Sequence, residues 1–464
     1  MIPASLTVSG LVKKFKSREL SVTEALMDYI LNIETNNPKT GTFIYCDFER
    51  AIARAEKLQK KLEEGRASGP LFGVPFAVEA NIFYEGGGCN CGSTVMKNFK
   101  PDYSSTIVER LERAGAICVG TLNSEEFGVG GQGGECLAGP VRNPWKLSCA
   151  GGTNACAAAV VSSMVLFAVG TDSCGELRSA ASHNSVTALV PGKGTISHHG
   201  VCDAYSSLTQ IGIVARDATD CATVLQTISG ADGKDMNCTR EKVMLPLYNV
   251  SGLSIGVPAE LMNLIDGAQR GRILSLPDAL HQCGSEVEVF SMPLIREAFY
   301  AHRVISSAEW ALNISKFSSE VFGGGLSSLT YEGKSRLLYG KYVLLPENSD
   351  RLYTNALRIR QMVCDRMEEM LKKYSLLMMP AVLSSPPPIT KKNTGELFYS
   401  PVALCSSFVN LSGLPSVCVP CGFTDDGLPV GCQIVGRKNN ESAILSAAAT
   451  FQKITGYHML VPKI

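Results

Sequence analysis

Residues Cys149 to Arg178 read CAGGTNACAAAVVSSMVLFAVGTDSCGELR. A loop of small residues leads into an apolar, helix-like run from Ala155 to Val169, interrupted at Ser162 and Ser163, and the run ends in a second glycine-bearing turn. Small residues let backbones approach closely, so two such loops around a buried segment have the layout of an active-site wall. The run is too short to span a bilayer and reads as buried core.

Outward from this stretch, helix and strand patterns alternate. Ser21 to Thr35 reads as a helix with Ser21 and Glu24 in a capping box and Val22, Ala25, Leu26, Tyr29, Ile30 and Ile33 on one face. A second helix, about Asp47 to Glu64, stops at Gly65. Leu71 to Val78 is a strand, and Ile107 to Ala114 is a helix feeding a strand at Ala116 to Gly120. Further on, strands at Leu253 to Val257 and Ser285 to Phe290 flank a helix near Gly271 to Gln282. A helical section from about Leu294 to Lys373 precedes a strand at Ser375 to Met379 and a proline-rich loop at Ser385 to Ile389. Such alternation argues for an α/β fold whose sheet is at least partly parallel. No repeat or linker divides the 464 residues, so the expectation is a single domain over 1–464 with a variable helical section at about 294–373.

Composition narrows the function. Lys and Arg total 43 and so do Asp and Glu, leaving no global field to attract a nucleic acid or an anionic membrane. The N-terminal stretch has no apolar core behind a basic start, which argues against a secretory signal. Seventeen scattered cysteines without that signal read as reduced, mostly buried thiols in a cytoplasmic protein.

Ala157, Ala158, Ala159 and Val160, followed without a gap by Gly170, Thr171, Asp172, Gly175 and Arg178, resemble the amidase-signature family. That family reads Gly-Gly-Ser-Ser-Gly-Gly-Ser before an alanine-rich helix and Gly-Thr-Asp-Thr-Gly-Gly-Ser-Ile-Arg after it. Gly73-Val74-Pro75-Phe76-Ala77-Val78-Glu79-Ala80-Asn81-Ile82 resembles its upstream Gly-Val-Pro-Phe-Ala-Val-Lys-Asp-Asn-Ile. Similarity extends through Ser206–Asp235 and Ser406–Lys453, and is strongest to the A subunits of glutamine-dependent aminoacyl-tRNA amidotransferases. The resemblance implies an α/β/α layered fold around a large mixed sheet, no cofactor, and B- and C-like subunits as partners.

It also implies a proton line of Lys, bridging Ser and nucleophilic Ser, which falls on Glu79, Gly152 and Glu176. The interval from Gly152 to Glu176 equals the family's own, yet none of the three positions carries the expected group. The resemblance therefore implies a non-catalytic homologue that binds or forms complexes. Glu176 would either place its carboxylate among the backbone donors of the turn, mimicking the transition-state oxygen, or turn to solvent. The remaining pocket residues are Thr153, the only hydroxyl left in the first loop, and Thr171, Ser173, Cys174, Gly175, Asp172 and Arg178.

Two alternatives stay open. One is a divergent amidohydrolase or amidotransferase component using Cys174, with His183 as a candidate activator, or a Glu79/Glu176 carboxylate pair whose mutual repulsion raises one pKa. Cys156 is a further thiol beside the site. The other is a sensor or carrier of small carboxylates. In the A subunits an Arg and an Asp clamp glutamine, and these fall on Arg360, with Arg358 as fallback, and on Ala403, so free glutamine is expected to bind poorly.

Metal binding is not expected. Cys89 and Cys91 with Cys418 and Cys421 lack zinc-knuckle spacing, and Cys418 to Cys421 reads as a core strand. His198 and His199 are adjacent and read as surface loop residues that face opposite ways. The run Gly130, Gly131, Gly133, Gly134 has neither a P-loop lysine nor a dinucleotide-binding pattern.

Overall fold

The computed structural model describes residues 5–129, 136–238, 240, 242–243, 245–246, 248–317, 325–389 and 401–464, so the Gly130–Gly134 run lies outside the described residues. Among the described residues, thirteen strands follow in chain order: β1 (Phe43–Cys46), β2 (Pro75–Glu79), β3 (Ile117–Leu122), β4 (Arg142–Asn143), β5 (Lys146–Ala150), β6 (Phe167–Asp172), β7 (Thr187–Val190), β8 (Gln210–Ala215), β9 (Ser254–Pro258), β10 (Glu286–Phe290), β11 (Leu376–Pro380), β12 (Ser416–Phe423) and β13 (Pro429–Gly436). Eleven of them form one sheet in the order β1-β3-β2-β6-β8-β7-β12-β13-β11-β9-β10, while β4 and β5 pair apart.

The sheet is mixed. β3, β2 and β6 run parallel at one end and β11, β9 and β10 at the other. Between them, β8, β7, β12 and β13 pair antiparallel. The central strands are buried along their whole length, β2, β3 and β8 on every residue, as strands covered on both faces must be. Helices supply the cover, giving the α/β/α layers that the resemblance implied.

Local sequence explains where the helices begin. Ser21 caps the helix Val22–Thr40 by accepting the Glu24 N–H, and that helix buries Val22, Ala25, Leu26, Tyr29, Ile30 and Ile33. Asp47 caps Phe48–Glu63 and Asp266 caps Gly267–Gln282, which starts earlier than its glycines suggested and continues through Pro277. The section at 294–373 contains the helices Ile295–Asn313, Tyr331–Val343 and Asn355–Lys373. Among the described residues, no helix is long and apolar enough to cross a membrane.

The organising stretch departs from a single helical run. Its alanines form a six-residue helix, Cys156–Val161, the chain turns at Ser163 with φ of 55°, and Phe167–Asp172 becomes the central strand β6. β-Branched and aromatic residues after the turn favour the sheet, where Phe167 stacks on Phe76 of β2 at 5.3 Å between ring centres. Register then fixes the site. β2 and β6 pair at Ala77 with Ala168 and Val78 with Val169, so Glu79 at the end of β2 rides over Gly170. A β-carbon at Gly170 would stand 2.8 Å from Glu79 Oε2.

Candidate functional site

The turn after β6 enters the helix Glu176–Asn184 through Gly175, whose φ of 99° is a conformation side chains rarely adopt. Its backbone amides point inward, and each meets a carboxylate of the same chain. Thr171 N–H donates to Glu79 Oε2 at 2.7 Å. The N–H groups of Ser173 and Cys174 both donate to Glu176 Oε2 at 2.7 Å, and the Ser173 hydroxyl donates to Glu176 Oε1 at 2.8 Å. Gly175 N–H donates to Asp172 Oδ1 at 2.8 Å. Glu176 is thus folded back over the turn instead of facing solvent, with the positive end of its own helix beside it.

Burial sets the protonation of these groups. Glu79 is 3% exposed, and its desolvation raises its pKa to about 7 against the two hydrogen bonds from Thr171, with the charges of Glu176 and Asp172 adding to the rise. Glu176 is also raised, by burial first and by the Asp172 charge next. Glu79 therefore feels the Glu176 charge, yet each carboxylate is held by separate donors.

Asp172 and Arg178 form a wholly buried ion pair at 2.8 Å. Arg178 also donates to Gln433 Oε1 at 3.0 Å and to Asn410 Oδ1, and Asn410 Nδ2 returns a bond to the Asp172 carbonyl at 3.0 Å. Both residues are consumed in tying the turn to β13 and to the helix Pro401–Ser412, so neither is available to a ligand.

A narrow cleft lies over the turn, lined by Glu79, Asn81, Phe127, Gly128, Thr153, Asn154, Thr171, Ser173, Glu176, Cys202, Asp203, Ala204, Tyr205 and Thr209. It has room for little more than one water molecule. Asn81 Oδ1, Thr153 Oγ1, Asn154 Nδ2 and Tyr205 Oη, all on lining residues, are buried without a hydrogen-bond partner.

The first helical and strand layers, the turn and the loop at 149–155 match one family over most of the chain: residues 24–445 fit the family model described as Amidase. The chain belongs to the amidase family. The A subunit of glutamyl-tRNA(Gln) amidotransferase from Agathobacter rectalis is 33% identical over 476 residues, covering 97% of this chain and 94% of that protein. The protein of the same name from Methanosarcina mazei is 34% identical, with 97% of each covered. Among solved structures, the A subunit of glutamyl-tRNA(Gln) amidotransferase from Thermotoga maritima superposes with a TM-score of 0.82 at 25% identity over 99% of this chain and 97% of that one. A 6-aminohexanoate cyclic dimer hydrolase shares the fold, with a TM-score of 0.87 at 22% identity over 100% of this chain and 99% of that one.

Of the amidase pocket positions expected from sequence, Glu79, Thr153, Thr171, Ser173 and Glu176 line the cleft, whereas Gly152, Asp172, Cys174, Gly175, Arg178 and Arg360 do not. Gly152 has φ of 136°, and a β-carbon there would stand 2.7 Å from Ala180 Cβ. Burial and the Glu176 charge push the Cys174 thiol well above its ordinary pKa, and burial does the same at Cys156, opposite to what a nucleophilic thiolate needs. His183 does not activate Cys174: its Nε2 meets the Ser384 carbonyl at 3.0 Å, and burial lowers its pKa to about 4. The imidazole next to the turn is His302, which no sequence motif marks. Its Nε2 lies 2.8 Å from the Ser173 carbonyl and so carries the proton.

Arg360, expected to clamp a ligand, is bonded to its own chain. Its guanidinium donates to Leu411 O at 2.9 Å, to Ser207 Oγ at 2.8 Å and to Ser207 O at 3.1 Å, and Arg358 is exposed and bonds Asn355. The cation with the largest influence on Cys174 is Arg336, which shares Glu332 with Arg303. Arg336 was detectable in principle, since it lies on the helix face that buries Gly333, Leu337 and Gly340. His198 and His199 lie in a loop and are half-buried, and His198 Nδ1 stands 3.3 Å from Asp203 Oδ2. Cys418 and Cys421 lie in β12, in a different apolar cluster from Cys89 and Cys91.

Proposed function

We propose that this chain is a non-hydrolytic amidase-family protein of the amidotransferase A-subunit type, which works in the cytoplasm as a binding or complex-forming protein with B- and C-like partners. One observation carries the reading. Acyl transfer needs free N–H donors for the oxyanion and a nucleophile to attack. The inward amides of Thr171, Ser173, Cys174 and Gly175 instead hold Glu79, Glu176 and Asp172. The family's Lys, bridging Ser and nucleophilic Ser fall, by the resemblance, on Glu79, Gly152 and Glu176. Similarity to relatives named as amidotransferase A subunits favours a complex as the setting. The test is hydrolysis of glutamine, asparagine and a simple aryl amide by the purified chain, alone and with co-expressed B- and C-like subunits. No turnover above a buffer blank, together with a stable co-eluting complex, is the expected result; turnover at enzymic rates overturns the reading.

A second reading, a rewired amidohydrolase, draws support from one dyad. Thr171 Oγ1 donates to Glu79 Oε2 at 3.1 Å while accepting from Asn81 Nδ2 at 2.8 Å, and Glu79 titrates near neutrality, as a general base should. It requires that any turnover found disappears in Thr171→Val. Small carboxylates gain little support as ligands from Arg360, which makes three of its five possible hydrogen bonds to its own chain.

A further inference from the structure

Two loops converge beside the cleft. The first carries Cys89-Asn90-Cys91 and the second carries Cys202, and all three cysteines are buried. Both loops hang on the dipeptide that follows Glu79: Cys91 N–H donates to Ala80 O at 3.1 Å and Cys202 N–H to Asn81 O at 2.8 Å. Cys91 holds φ of 50°, a left-handed conformation rarely taken by a residue with a side chain, and its carbonyl is fixed by Phe127 N–H at 2.7 Å. The result is three sulfurs within 4.8 Å of one another.

We infer that Cys89, Cys91 and Cys202 form a three-thiolate site for a thiophilic d10 cation, Zn2+ or Cu+. A Zn–S bond of about 2.3 Å sets tetrahedrally disposed sulfurs roughly 3.8 Å apart, a spacing that three atoms already within 4.8 Å reach by small rotations. Thiolates are the soft ligands that select these ions. The ordinary role of a buried cysteine is to pack as a small hydrophobe. Here, however, this is the one group of three or more metal-ligating side chains at such spacing among the described residues, although the chain has 17 cysteines. All three sulfurs are buried, so a cation held between them would be screened from bulk water. Binding replaces the three S–H bonds by S–metal bonds and releases three protons to solvent. Zn2+ would need a fourth ligand beyond the three sulfurs, and Cys202 lines the cleft together with Asp203.

The sequence alone argues against a metal because its spacing offers Cys418 and Cys421 as partners for Cys89 and Cys91. Their partner is a single cysteine on a distant loop, which no spacing rule reveals.

The experiment is a titration of the full, reduced, metal-free chain with Cd2+, followed by thiolate-to-metal charge-transfer absorbance. Saturation at one ion per chain is expected, with affinity falling about tenfold or more in Cys202→Ala and Cys89→Ala and unchanged in Cys418→Ala. Zn2+ and Cu+ added in competition then identify the ion that displaces Cd2+. Should an alanine variant fail to fold, the wild-type chain suffices: in mild urea, Cd2+ should slow alkylation of Cys89, Cys91 and Cys202 and leave the other cysteines unaffected, as read by peptide mass spectrometry. Absence of a charge-transfer band, undiminished binding in Cys89→Ala/Cys91→Ala/Cys202→Ala, or equal alkylation with and without Cd2+ overturns the assignment.

Discussion

Glu176 accepts the backbone N–H of Cys174 at 2.7 Å, so the carboxylate of the residue that opens a helix closes the turn leading into it. With Ser173 N–H and Ser173 Oγ it has three donors. Glu176→Ala leaves these donors without their acceptor in a confined cleft, and the expected loss is about 1–3 kcal/mol in urea unfolding. The vacated volume and its donors suit a small anion. Formate should therefore raise the melting temperature of Glu176→Ala more than that of the parent, and an equal shift in both would show that the donors had found other partners.

Glu79 titrates at about 7 in the folded chain, above the ordinary value of 4.5. Between those values the folded state holds a proton that the unfolded state has released, so stability is greatest below 4.5 and falls as pH rises to about 7. Glu79→Gln keeps an acceptor for Thr171 and removes the charge. Its melting temperature relative to the parent should climb from pH 5 to pH 8. Asp220 is also raised to about 7, and taking the difference between variant and parent cancels its contribution. A difference that is flat with pH would place Glu79 in a better solvated setting.

Asp172 and Arg178 are each 0% exposed and bonded on nearly every polar atom. Removing one partner strands the other charge in the core. Arg178→Met should cost about 3–5 kcal/mol by urea denaturation. Asp172→Asn combined with Arg178→Met should cost less than the two single losses added together, because the double variant buries no unpaired charge. Additive losses would mean that the two side chains act independently.

Much of this architecture is legible in the sequence because its patterns are local. The Ser21 cap, the apolar face from Val22 to Ile33 and the all-apolar strands follow from spacing and residue type. The split of Ala155–Val169 into helix and strand is not, since an apolar run carries no period and the break rests on the backbone at Ser163. The folding back of Glu176 follows from its place beside the turn's amides, which the resemblance identified. Arg360 too projects from the buried face of its helix, between Ala356 and Val363, and it reaches Leu411 and Ser207. Only tertiary placement separates it from Arg336. The convergence of Cys202 on Cys89 and Cys91 is likewise a product of topology.

Gly152 bears on whether the family's hydroxyl relay can be rebuilt. At φ of 136° any side chain is strained, and a β-carbon would press on Ala180 Cβ at 2.7 Å and on the Asn154 carbonyl at 3.0 Å. Ala180 belongs to the helix that Glu176 opens, so serine at 152 requires that helix to move. Gly152→Ser should lose about 1–3 kcal/mol of stability, and Gly152→Ala a similar amount, since the cost lies in the β-carbon and the backbone. Glu79→Lys/Gly152→Ser/Glu176→Ser should accordingly fold less stably than the parent and hydrolyse no amide. If that triple variant instead shows glutaminase turnover at unchanged stability, the loop at 149–155 adapts to serine freely and the backbone around Gly152 does not oppose a hydroxyl there.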